Sequence, residues 1–363
     1  MKRIVTLDYI RAVAMCGVLM IHSGSYALSN SAINPAFIAL FEILTRFSIP
    51  IFFFVSAFGL FVNHNPDKPF SYFSFLRKRG KSIFIPYMVW SMIYLLIARD
   101  YSSLQPQNFM YKLLFGLGSY QLYFLVLLLW FYILMPLWRM IVPCFAKRPT
   151  LSIILLFLAQ LGFNYFSVHY LWSIKTNNPM IDTLISYRVS YWVAHYFFIF
   201  ILGGICALRK QQFINFCEQR FELICGVFAF AAINIVGQYY YYLNYKSYTL
   251  LDCINTFHQL SAPGLIYTAA ATVFLFSFLG KIRNQKITAL LKFFADASYP
   301  VYLVHPVFMY LIFYLFQKAQ LTFTVFNSTL FFLSALALSL IFSYCLDIVS
   351  KKIPIIGVCL KGS

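Results

Sequence analysis

The stretch from Leu7 to His22, LDYIRAVAMCGVLMIH, sets three ionisable side chains into an otherwise apolar run. Residues 11 apart on an α-helix differ by about 1100°, just over three turns, so Arg11 and His22 share a face roughly 16 Å apart. Asp8, three residues before Arg11, lies on that face and can neutralise it. An unpaired charge in lipid costs at least about 2.5 to 3.5 kcal/mol, so an arginine inside a helix of this kind faces a partner or a cavity. His22 admits two readings, an imidazole resting at a membrane boundary or a group that moves a proton near neutral pH.

Further along, Glu42 and Arg46 are spaced i,i+4 in front of the apolar run IPIFFFVSAFGL. They read either as a self-contained ion pair that lets the helix cross lipid or as a contact to substrate. The segment SFLRKRGKSIFIPY gathers Arg77, Lys78, Arg79 and Lys81. Such a cluster anchors topology or meets anionic lipid, and arginine's fork also suits phosphate oxygens. Near the other end, FFADASYPVYLVHP holds Asp296, and its Ser298, Tyr302 and His305, spaced by four and three, form one polar stripe. That stripe serves either interhelical hydrogen bonding or catalysis. His64, His169, His195 and His258 show no ligand-like spacing, so no metal is assigned, and nothing resembles a P-loop, a dinucleotide fingerprint or a GxSxG elbow.

The elements that must position these groups follow from composition. The 363 residues are 61% hydrophobic, 20% aromatic and 10% charged, against about 25% charged in soluble domains, which excludes a soluble globular chain. Windows able to cross about 30 Å of hydrocarbon lie at residues 4–24, 36–62, 83–98, 119–140, 150–168, 190–208, 222–243, 262–280, 297–317 and 323–347. The expectation is an all-α polytopic bundle of about ten transmembrane helices, with residues 1–350 as one integral domain and 351–363 as a short cytoplasmic tail. The second window exceeds one crossing and should bend, with Pro50 as the expected place. Basic residues, from Lys2 and Arg3 through the Arg77–Lys81 cluster to Lys351, Lys352 and Lys361, concentrate on alternate loops and place both termini inside. The net charge of +18 is thereby explained by topology rather than by nucleic acid. The eight cysteines are dispersed, without CxxC spacing.

Taken in order, these stretches resemble the membrane-bound acyltransferase-3 family, which acylates bacterial cell-envelope sugars. Arg11, ten intervening residues and His22 are similar to its R/K-x10-H hallmark. RFSIPIFFFVSAFGL resembles its FFxxSGxxL stretch with Ala57 in place of glycine, and FLRKRGKSIFIPY its RxxR loop with Ser82 in place of the second arginine. YQLYFLVLLLWFYILMPLW and ASYPVYLVHP complete the series.

The resemblance implies a multi-pass protein of a bacterial plasma membrane. Its donor would be a cytosolic acyl-CoA, often acetyl-CoA, and its acceptor a hydroxyl of an envelope glycan or lipid-linked sugar, with no metal and no nucleic acid. His22 then acts as general base, with an acyl-histidine as the alternative, and Arg11 and Asp8 belong to the catalytic set. Arg77, Arg79 and Lys81 would hold the cofactor's phosphates, and Glu42, Arg46, Tyr302 and His305 would contact substrate or the oxyanion. The alternative from another class is a carrier or flippase for polymeric or polyprenol-linked glycan, since ten helices around a buried polar path also describe a transporter. Oligomeric state is not encoded in any of these features.

Overall fold

Long apolar runs in lipid must satisfy their backbone internally, which favours helices. The computed structural model describes residues 4–28 and 33–362, and every regular element among them is helical. Eight helices are long and apolar enough to cross a membrane alone: Val5–Ala27, Pro35–Asn63, Tyr72–Ile97, Pro149–His169, Phe221–Tyr245, Ala262–Gly280, Gln285–Lys318 and Val325–Lys352. The other two expected windows fall on bent pairs, Tyr123–Ile133 with Met135–Lys147 and Phe197–Leu208 with Lys210–Gln219. The all-α, multi-pass expectation therefore holds, with eight to ten crossing elements among the described residues. Lys2 and Arg3, the start of the basic series, lie outside the described residues.

The second span is irregular near the proline where a bend was expected, and the start of one later helix differs from the hydropathy reading. Before Pro50, a π-helical turn at Ala39–Ile43 and a further turn precede the Ser48–Asn63 helix. Proline lacks an N–H and its ring crowds the carbonyl four residues back, so the disturbance falls on the preceding turn. The Tyr267 hydroxyl donates to the Leu44 carbonyl there at 2.8 Å. The helix expected from residue 297 begins at Gln285 and runs 34 residues, roughly 51 Å. Asn284 caps it by accepting from the Lys286 and Ile287 N–H groups, and Lys292 reaches Asp296 at 2.6 Å on its exposed early turns. A hydropathy window cannot register those polar turns, although the helix passes through them.

The described residues of Met1–Gly59 and Arg209–Cys345 form one compact unit, and those of Leu60–Leu208 and Leu346–Ser363 a second. In the first unit the Val5–Ala27 helix packs along Gln285–Lys318. The best apolar windows of these two are 61% and 56% buried, against 17% for Phe221–Tyr245, so the pair is interior while Phe221–Tyr245 is largely exposed. Met15 and Leu19 meet the buried cluster that includes Val301 and Met309.

Lipid tails are as apolar as leucine, so close backbone approach rather than transfer from water favours such contacts. Gly17 is one of these approaches, since a Cβ there would lie 2.0 Å from Ser48 Oγ and 3.1 Å from Ser48 Cβ. Gly17→Ala is expected to lower stability by about 1–2 kcal/mol, overpacking outweighing the gain in helix propensity. Thermal unfolding in detergent measures this, and Ser48→Ala in the Gly17→Ala background should recover part of the loss. An unchanged midpoint for Gly17→Ala removes the claim of close packing.

In the second unit, the break between Tyr123–Ile133 and Met135–Lys147 is 74° and falls just before Pro136. Trp138 Nε1 donates to the Phe131 carbonyl at 3.0 Å, satisfying backbone near the break. Non-helical backbone before Phe197–Leu208 is held by Gln160, whose Nε2 donates to Ala194 O at 2.9 Å and whose Oε1 accepts from Phe198 N at 3.0 Å. Arg139 donates to the carbonyls of His64, Asn65, Pro66 and Lys68 at 2.8–3.0 Å, and so organises the loop that follows the second span. The segment after Lys352 is itself helical over Pro354–Lys361, and Trp90 Nε1 donates to its Leu360 carbonyl at 3.1 Å.

Candidate active site

The first unit brings most of the sequence-predicted groups together. Arg11 Nη2 donates to Ser298 Oγ at 3.0 Å, and Arg11 Nη1 stands 3.6 Å from Asp8 Oδ1. Ser298 Oγ in turn donates a hydrogen bond to the Ala295 carbonyl at 2.7 Å. Two turns further along Gln285–Lys318, His305 stacks on His22, with ring centroids 5.3 Å apart and planes 18° from parallel. Because 11 meets 298 and 22 meets 305, the two helices run in the same direction. Tyr302 is buried beside His305, at 6.1 Å between rings. Asp296 is exposed and pairs with Lys292, away from this line.

Glu42 is fully buried, and its carboxylate bridges two elements. It accepts from Ser25 Oγ at 2.7 Å and from Arg46 Nη2 at 2.8 Å. The carboxylate crosses the first helix at Gly24, where a Cβ would come within 2.7 Å of Glu42 Cγ. The ion pair of the first sequence reading is formed, and Arg46 also lies within electrostatic reach of His22. Of the Arg46 donors, Nε is buried and meets no hydrogen-bond partner among the described residues. His305 Nε2 is likewise buried and meets no such partner. A spare donor and a spare acceptor thus occur in one polar cluster.

His258, set aside in the sequence, belongs to this neighbourhood. It lies between the helices Leu250–Thr256 and Ala262–Gly280, and its Nδ1 accepts from the Leu260 N–H at 3.1 Å. Ser261 holds the turn through the His258 carbonyl at 2.7 Å, and a Cβ on Gly264 would strike the same carbonyl. Only this fold in HQLSAPG reveals it, since no periodicity connects His258 to Arg46.

Burial first, and the Arg46 guanidinium second, push His258 down to about 4 from its ordinary 6.5. The unfolded chain therefore takes up the proton before the folded one as pH falls. Stability is expected to decline from about pH 6.5 to about 4 and then level off, by on the order of 1–3 kcal/mol from this group. Melting curves of the wild type and His258→Gln across that range check it: the two should diverge as pH falls, and parallel curves contradict the prediction.

The basic segment lies in the second unit, and its cations occupy two kinds of surroundings. Arg77 and Lys81 are exposed, while Arg79 is half-buried over the rings of Tyr132 at 4.9 Å and Phe75 at 5.4 Å. A π-helical turn, Gly80–Phe84, follows directly, and such turns often occur at functional places. Burial, then Arg79, Arg139 and Lys78, hold His64 below its ordinary range, so the surroundings are strongly cationic. Among the described residues no group of three or more His, Cys, Asp and Glu is placed to hold a metal ion.

Fold and site together define a multi-pass helical membrane protein with an imidazole-centred polar cluster inside one helical unit. An acyltransferase domain profile matches residues 4–348, and the chain belongs to the acyltransferase-3 family. It is similar to a Bacillus subtilis (strain 168) protein named "Putative membrane-bound acyltransferase YfiQ", at 24% identity over 83% of this chain and 79% of that protein. No solved structure matches.

Proposed function

We propose that the protein moves an acyl group, with acetyl as the first candidate, from acyl-CoA to a hydroxyl of a cell-envelope glycan or lipid-linked sugar in a bacterial plasma membrane. The observation that carries this reading is the complementary pair of spare atoms described above, on a cluster centred on His22. Attack of a hydroxyl on a thioester needs an acceptor for the hydroxyl proton and a donor for the oxygen that becomes negative. The stacked imidazoles supply the first, and the remaining N–H of Arg46 the second. Arg11, neutralised by Asp8 and tied to Ser298, fixes the first helix against Gln285–Lys318 and so holds the imidazoles in register.

Arg77 and Lys81 are the candidates for the donor's phosphates, being exposed cations, whereas Arg79 braces the segment against Tyr132. The loop charge bias supports cytoplasmic termini and a cytosolic donor. The test is to incubate purified protein with radiolabelled acetyl-CoA and bacterial envelope glycan. Ester-linked label on the glycan is expected, together with a raised melting temperature in CoA, as mass action requires for a ligand of the folded form. A glycan carrier should ignore CoA and transfer no label.

A further inference from the structure

Resting on the acyl-transfer reading, we propose that the atom that takes the proton from the acceptor hydroxyl is Nε2 of His305, and that Pro306 fixes it in that state. Proline at 306 has no N–H to offer the carbonyl four residues back, which is that of Tyr302. His305 Nδ1 meets the freed Tyr302 carbonyl at 2.8 Å and the Val301 carbonyl at 3.2 Å. Carbonyls only accept, so the ring proton resides on Nδ1 and Nε2 is left as a bare lone pair. The ring is 0% exposed, and Nε2 has no hydrogen-bond partner among the described residues. A buried acceptor left unsatisfied is unfavourable, and a hydroxyl presented by substrate satisfies it.

His258 provides the contrast, since its Nδ1 accepts from a backbone N–H and its ring must therefore carry the proton on Nε2. The backbone holds the two imidazoles in opposite tautomers, one as acceptor and one as donor. The ionisable groups against the His305 ring are His22 from the first helix and Tyr302 from its own helix, and beyond them the Arg46 guanidinium of the Glu42–Arg46 pair acts on His22. His22, stacked on the ring, forms one wall of the place where the hydroxyl sits.

In the reaction, the hydroxyl oxygen bonds to the thioester carbonyl carbon while its proton passes to Nε2. The C–S bond then breaks, its electron pair stays on sulfur, and the thiolate recovers the proton from Nε2. Ester and free thiol leave, and the ring returns to its starting tautomer.

His305→Asn keeps a donor near the Nδ1 position and removes the base. Its kcat is expected to fall about 10²- to 10⁴-fold, with melting temperature and CoA-induced stabilisation close to wild type. The acid limb of the wild-type kcat–pH profile should disappear in this variant. His305→Ala, which leaves a ring-sized space, should regain activity on adding imidazole, a rescue that a merely structural role does not give. Pro306→Ala, which restores a backbone N–H for Tyr302, should shift the acid limb without abolishing activity. Retention of more than a tenth of wild-type kcat by His305→Asn, or absence of imidazole rescue in a folded His305→Ala, overturns the proposal while wild-type transfer stands. A wild type that transfers no acyl group from CoA overturns the acyl-transfer reading and this one with it.

Discussion

His22→Asn and His22→Phe are both expected to lower kcat by about 10²- to 10⁴-fold, equivalent to roughly 3–5 kcal/mol of lost transition-state stabilisation. The two substitutions separate chemistry from packing. Phenylalanine keeps a ring against His305, where the native centroids lie 5.3 Å apart, but carries no nitrogen. Asparagine keeps polarity without a titratable ring. If stacking were the whole contribution, the phenylalanine variant would stay active. Loss of activity in both, with melting temperatures within a few degrees of wild type, fits a role of the His22 ring nitrogens in holding the acceptor hydroxyl toward Nε2 of His305, the base proposed above. Label transfer from radiolabelled acetyl-CoA provides the measurement, and a folded His22→Phe protein at full rate would falsify the assignment.

Glu42→Ala is expected to cost about 3–5 kcal/mol of stability, because it leaves the Arg46 charge in a largely buried place without its counter-ion. Against a typical folding stability of about 5–15 kcal/mol, that is enough to deplete folded protein. The carboxylate is 0% exposed, and Ser25 loses the shorter of its two acceptors at the same time, keeping the Ile21 carbonyl. Glu42→Gln keeps the shape and part of the hydrogen bonding, so it should cost less. Removing both charges in Glu42→Leu with Arg46→Met should recover most of the stability. Activity should not return with it, because the double variant lacks the guanidinium N–H assigned to the oxyanion. Unfolding in detergent and label transfer, run on the same preparations, decide the matter. A double variant as unstable as Glu42→Ala contradicts the account, as does an active one.

The architecture was legible in composition because lipid imposes one requirement, helices with satisfied backbones, on any chain this apolar. Arg11, His22 and the stripe of Ser298, Tyr302 and His305 were also visible, because helical periodicity places residues on a face from spacing alone. Which face meets which was not visible. The pairing of Arg11 with Ser298 joins residues 287 apart, and no local pattern encodes it. His258 escaped for a related reason: its nearness to Arg46 depends on a turn between two helices rather than on a period. The setting of Arg79 was hidden as well, because in the sequence it is one more cation in a run, and only the fold places it over the rings of Tyr132 and Phe75. The 74° break before Pro136 shows the limit of hydropathy windows, which average over the few residues where a helix stops, whereas the length of the second window and Pro50 together did signal the irregular turn there.

The 287-residue separation of Arg11 from Ser298 also sets a waiting time. A ribosome working at about 5–20 residues per second completes the Ser298 segment roughly 15–60 s after Arg11. Through that interval the guanidinium enters the bilayer before its later neighbour exists, and Asp8, made less than a second earlier, is the counter-ion already at hand. Asp8 is thus the charge that can balance Arg11 until the far end of the chain is made.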